Sequence, residues 1–188
     1  QWNIGFAPTS RTTGSIYIAP DTTGSIDCGL HVTIQPTNAG SFSFWLYRTN
    51  VFGGGGCVAG WGDHQNDIDG NVIPIFANAS IGNEVSSHTA HQTVGTSKAF
   101  SSLASWDYFV LTWKWPTSIM NIYTNGVLAD NASQTILPTN SVYHVIIGRA
   151  PQDATHGKYQ GWISDFRIYN KQLTVGDQSY LYHQWYGK

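Results

Sequence analysis

The sequence predicts an all-β fold, two antiparallel sheets packed face to face as a β-sandwich or jelly roll. Three observations predict it: short apolar runs with in–out alternation, Gly, Asn and Pro turns between them, and almost no helical periodicity. A chain of 188 residues suits one such unit and can bury a two-layer core without needing a metal or disulfide to fold. Hydrophobic residues at 41% and aromatics at 14% exclude a disordered chain.

The strands follow in order. Residues 41–47, Ser-Phe-Ser-Phe-Trp-Leu-Tyr, alternate as a half-buried strand should. In residues 108–115, Phe109, Leu111, Trp113 and Trp115 share one face, and Pro116 ends the ladder because it has no N–H to donate. Residues 119–123 and 127–129 flank Asn125-Gly126, a pair that accepts positive φ at both central turn positions and so marks a hairpin. Two more strands are expected at 143–148 and 159–169, and loops at 36–40, 50–56, 62–71 and 151–157. One helical turn is expected at 173–178, capped by Thr174 with Asp177 three residues on, and kept short by Gly176. No stretch has linker composition and no repeat is visible, so one domain is expected.

Charge excludes several functions. Charged residues are only 11% and the net charge is −2, with the nine Lys and Arg scattered from Arg11 to Lys188. No basic stripe can neutralise a row of phosphates, so nucleic acid is not an expected partner. No apolar run is long enough for membrane insertion. Residues 1–6 lack the charged-then-apolar pattern of a signal peptide, which is either removed or never used. Cys28 and Cys57 are the only cysteines, and either bridge each other or sit apart as small buried hydrophobes.

Three ordered segments carry a family resemblance. Ser105-Trp106-Asp107-Tyr108-Phe109-Val110-Leu111-Thr112-Trp113 opens a strand with Trp, Asn121-Ile122-Tyr123-Thr124-Asn125-Gly126 forms a Tyr-x-Asn-Gly hairpin, and Gly161-Trp162-Ile163-Ser164-Asp165-Phe166 opens a closing strand. Together they resemble the laminin-G-like jelly rolls of the concanavalin A-like lectin and glucanase superfamily. The resemblance spans residues 26 to 183, leaving residues 1–25 as an N-terminal arm or extra strand before a 26–188 domain. It implies that Trp45, Trp106, Trp113 and Trp162 belong to buried or half-buried core positions. It also implies that Asp165 hydrogen-bonds backbone in a neighbouring turn or, as the alternative, takes part in holding calcium.

The superfold hosts lectins, enzymes and virion proteins, so function has to come from a site. The glucanases of the resembled family carry a Glu-x-Asp-x-x-Glu strand, and retaining glycosidases need two carboxyls about 5 Å apart. This chain has a single Glu, Glu84, so that chemistry is excluded; only a pair among its ten Asp would remain. No Gly-x-Ser-x-Gly elbow exists. His88 and His91 fall on opposite faces if both lie on a strand, and zinc would lack a third ligand. No enzyme is expected.

The candidate site is the loop after Trp61. Asp63, Asp67, Asp69 and Asn71 crowd hard oxygen donors into nine residues, with an alternating Asp67-x-Asp69-x-Asn71 that suits calcium; the bland reading is a polar hairpin of Asx turns. Trp61, between Gly60 and Gly62, either offers its ring face to a sugar or caps the core at a strand end. In the first case Asp63, His64, Gln65 and Asn66 supply directional hydrogen bonds. Asn78-Ala79-Ser80 and Asn131-Ala132-Ser133 satisfy the glycosylation sequon, a triplet that arises by chance in such compositions.

The reading is a non-catalytic glycan-binding or surface-attachment module, extracellular or secreted, with a glycan or cell-surface polysaccharide as partner and calcium as a candidate cofactor. The alternative is a virion structural, decoration or host-attachment protein at the virion surface, using the jelly roll as an oligomerising scaffold. A glycan hydrolase or lyase ranks last.

Overall fold

A computed structural model describes residues 15–18, 26–30, 39–48, 56–62, 72–78, 84–89, 92–99, 104–114, 119–133, 144–148 and 161–186. The strands are β1 (Ser15–Ile18), β2 (Ile26–Leu30), β3 (Ala39–Arg48), β4 (Gly56–Gly62), β5 (Val72–Asn78) and β6 (Glu84–Thr89). They continue as β7 (Gln92–Ala99), β8 (Trp106–Lys114), β9 (Ile119–Thr124), β10 (Val127–Ser133), β11 (His144–Ile147) and β12 (Gly161–Tyr169), followed by helix α1 (Val175–Tyr186). The first sheet runs β1-β12-β3-β8-β9-β10 and the second β2-β11-β4-β5-β6-β7. All described pairings are antiparallel. The expected sandwich is therefore present.

Alternation decides what fills it. Phe42, Phe44 and Leu46 of β3, Phe109, Leu111 and Trp113 of β8, and Met120 and Ile122 of β9 point inward and meet Val58, Ala59, Val145 and Ile147 of the second sheet. Burying each large side chain contributes about 1.5–3 kcal/mol. Gly40, expected in a loop, belongs instead to β3, because Trp113 packs where its Cβ would stand. An added Cβ would lie 2.1 Å from Trp113 Cζ2.

The outer face of the first sheet is covered too, which corrects the half-buried expectation for β3. Trp45, Tyr108, Val110, Tyr123 and Leu173 form a second cluster there, joined by Leu181 and Tyr182 of α1. Tyr182 stacks on Trp45 with centroids 5.8 Å apart and on Tyr108 at 6.2 Å. Ser41 anchors the crossing chain: its hydroxyl donates to the Lys171 carbonyl and accepts from the Leu173 N–H, each at 2.9 Å.

The helix is longer than one turn. Its start is as expected: the Asp177 N–H donates to Thr174 Oγ1 at 3.1 Å, and the Thr174 N–H donates to Asp177 Oδ2 at 2.8 Å. Gly176 does not stop it, since packing of an apolar face outweighs one unfavourable residue in the first turn. Buried Gln178 adds a tie, donating from Nε2 to the Leu173 carbonyl at 3.1 Å.

Two backbone features set the register. Asn125 and Gly126 have φ of 52° and 80°, the paired positive values of a type I′ turn. On β12, Asp165 has φ 51° and the register slips between Ser164 and Arg167. This bulge shifts the phase, so that Ile163 faces the core before it while Phe166 and Ile168 do so after it.

Candidate functional site

The predicted loop closes a hairpin at one rim of the second sheet. Gly62 pairs with Val72, so residues 63–71 connect β4 to β5 at that point. Gly62 also pairs with His144 at the start of β11, and His144 with Leu30 at the end of β2. The β6–β7 hairpin, closed by Thr89 and Gln92, turns back at the same end, because β6 runs antiparallel to β5. The topology thus gathers the end of β2, the start of β11 and two hairpins on one rim.

Trp61 occupies the penultimate position of β4, in register with Val145 and Ile73. Asp63, His64, Gln65, Asn66, Asp67, Asp69 and Asn71 lie outside the described residues, as does His91. His88 is on β6, beside the register slip between Ser87 and Thr89. Among the described residues no group of three or more His, Cys, Asp or Glu could hold a metal ion. Glu84 begins β6, in register with Asn78 and Ala99.

Asp165 does not do what was expected of it. Its Oδ1 accepts from Arg167 Nε at 2.7 Å, an ion pair two residues apart on β12. Burial works against the Arg167 cation, but the hydrogen bond and charge of Asp165, with Tyr169, more than offset it and raise its pKa. The buried carboxylate that does secure a turn is Asp107, which accepts from Asn125 Nδ2 at 3.0 Å.

The proposed Cys28–Cys57 bridge does not fit the sheet. Cys28 is on β2, Cys57 on β4, and β11 runs between them. Two strand spacings of about 4.8 Å each exceed the roughly 7 Å limit between bridged Cα atoms. Cys28 packs half-buried against the core instead.

Trp45 and Trp113 are buried as expected, while Trp106 and Trp162 are half-buried. Those two belong to an arrangement that the sequence did not disclose. Tyr17 pairs with Trp162, Trp162 with Tyr47, and Tyr47 with Trp106. The row crosses four adjacent strands on the outer face of the first sheet, since the inward positions beside it are Ile18, Ile163 and Leu46. Tyr17 and Trp162 have centroids 5.1 Å apart, Tyr47 and Trp106 5.5 Å. Aromatics at outward strand positions were the available signal, but which strands are neighbours is not written in the sequence.

Two six-stranded antiparallel sheets closed over one core, with hairpin loops gathered at a rim, define a lectin-type jelly roll. The chain belongs to the concanavalin A-like lectin/glucanases superfamily, whose laminin-G family model matches residues 12–177. A search of curated proteins finds no match. Among solved structures, the chain is similar to the Ruminococcus gnavus IT-sialidase CBM40 bound to α2,3 sialyllactose, with 13% identity, TM-score 0.69, and coverage of 90% of this chain and 96% of that one. It is also similar to domain 4 of an extracellular GH43 arabinanase from Geobacillus stearothermophilus in complex with arabinotriose. There the identity is 14% and the TM-score 0.67, over 96% of this chain and 79% of that one. The receptor-binding domain of a botulinum neurotoxin C/D mosaic serotype matches at 15% identity and TM-score 0.71, over 98% of this chain. This chain spans only 45% of that domain.

Proposed function

We propose that the chain is a non-catalytic glycan-binding module working outside the cell. What supports this reading is the sequence around the β4–β5 connection: Trp61, the penultimate residue of β4, precedes nine residues rich in oxygen donors. An indole there would stack on the apolar C–H patch of a sugar ring, with Asp63, His64, Gln65 and Asn66 giving directional contacts to hydroxyls. Calcium belongs to the same reading, with Asp63, Asp67, Asp69 and Asn71 as the oxygen donors that would hold the loop in shape. Solved structures of this fold with bound sialyllactose and arabinotriose support it. So does the single Glu, which leaves no Glu pair for retaining hydrolysis.

A small, shallow site gives affinities of roughly micromolar to millimolar Kd. The test is glycan-array binding by the full chain and by Trp61→Ala, with calcium and with chelator. Binding weakened in the variant, and weakened by chelator, is the expected result. An array silent in both conditions would refute the reading.

A second reading, a self-associating scaffold of virion or surface type, has one observation in its favour. Val127 and Leu128 lie 68% and 47% exposed on β10, an edge strand of the first sheet. Light scattering separates the two, since a monomer at all concentrations removes the scaffold.

A further inference from the structure

We propose that the row Tyr17–Trp162–Tyr47–Trp106 is a second glycan site, an aromatic strip on the outer face of the first sheet that takes a short linear oligosaccharide. The proposal rests on the glycan-binding reading for its ligand class, but on different residues at a different place. Four residues in direct register on four neighbouring strands stand about 4.8 Å apart, so the strip is about 14 Å long. It is one residue wide.

The row beside it shows what an occupied face looks like. Two residues further along the strands, Ser15, Ser164, Trp45 and Tyr108 pair in the same order, and all four are buried. Tyr182 of α1 covers Trp45 and Tyr108 there. The strip lies just past this cover, with Trp106 packed against the covered cluster. Tyr17, Trp106 and Trp162 remain half-buried, while Tyr47 between them is buried, 9% exposed. The helix therefore buries one aromatic row and leaves three of the four residues of the next partly exposed.

Size and chemistry select the occupant. Aromatic side chains offer about 150–250 Å² each, so these half-buried ones leave on the order of 200 Å² in the open. A stable protein partner needs roughly 800 Å² per side. The four residues of the strip are uncharged, and Tyr and Trp carry polar tips beside apolar ring faces. Sugar rings present apolar C–H patches edged by hydroxyls, which is the complementary pattern. A linear chain of them matches the strip's shape.

The test uses the full chain and follows the indole N–H resonances of Trp162 and Trp106, assigned through their Phe variants. Probes are arabinotriose, α2,3 sialyllactose and a panel of linear neutral oligosaccharides, each titrated into wild type and into Trp61→Ala. Expected are saturable shifts of the Trp162 and Trp106 indoles that persist in Trp61→Ala and weaken roughly tenfold in Tyr17→Ala and Trp162→Leu, with Trp162→Tyr retaining binding. Tyr17→Ala changes only an edge strand, and its unfolding midpoint is measured alongside. Shifts confined to Trp61 and abolished by Trp61→Ala would overturn the strip while leaving the rim standing. Shifts at the strip with none at Trp61 would do the reverse. No shift of either indole with any probe overturns the strip.

Discussion

Asn125 donates from Nδ2 to the Asp107 carboxylate at 3.0 Å while its Oδ1 accepts the Tyr108 N–H at 2.8 Å. One side chain thus ties the β9–β10 turn to β8 and supplies a partner to a carboxylate with no exposed surface. Asn125→Ala removes both bonds and puts a side chain without Asn's local hydrogen bonding at φ 52°. It should cost about 2–3 kcal/mol, read as a lower urea midpoint with unchanged slope. A midpoint within error of wild type would show that the turn does not depend on this contact.

Gly40→Ala should cost about 1–3 kcal/mol, because the new methyl would fall 2.1 Å from one Trp113 ring atom and 2.6 Å from another. Trp113 is held between Phe42 and the core, so neither ring nor strand yields freely. Thermal unfolding and a change in tryptophan fluorescence check it together.

Tyr182→Ala should strip the cover from Trp45 and Tyr108 and destabilise by about 2 kcal/mol. Burial pushes the Tyr108 phenol up to about 12. Uncovering it should bring that titration back toward the ordinary tyrosine range near pH 10, where absorbance at alkaline pH follows it.

The α1 cap should weaken in acid. Hydrogen bonds from Thr174 backbone and side chain, aided by the Lys171 charge, hold the Asp177 carboxyl below its ordinary value. A depressed folded pKa stabilises above the unfolded value, about 3.9, and that contribution disappears as pH falls through the folded pKa. Amide protection factors in the first turn of α1, which remove the intrinsic pH dependence of exchange, should therefore fall below about pH 4 in wild type and not in Asp177→Asn. Equal pH dependence in both proteins would contradict the assignment.

Local chemistry was legible and long-range pairing was not. Asn125-Gly126 named its own turn, Thr174 and Asp177 their own cap, and Phe109, Leu111 and Trp113 their own face. The bulge at Asp165 was hidden, since its φ of 51° and the ion pair to Arg167 follow from the strands on either side. Helix α1 exceeded expectation because Leu181 and Tyr182 find Trp45 and Tyr108 more than seventy residues away in sequence. The separation of Cys28 from Cys57, and the alignment of Tyr17 with Trp106, depend on strand order, which no single segment encodes. Of the candidate rim site, the sequence supplied the residue types and register pairs Trp61 with Val145, while residues 63–71 lie outside the described residues.

Ligand-observed NMR tests the central claim most directly, because saturation transfer from the protein and the anomeric signals of the sugar report binding and turnover in one tube. Mixed with the oligosaccharide panel, the chain should transfer saturation to the ring protons of at least one glycan while every anomeric signal stays unchanged. New reducing-end signals, or no transfer to any glycan with calcium present, would contradict a non-catalytic glycan-binding module.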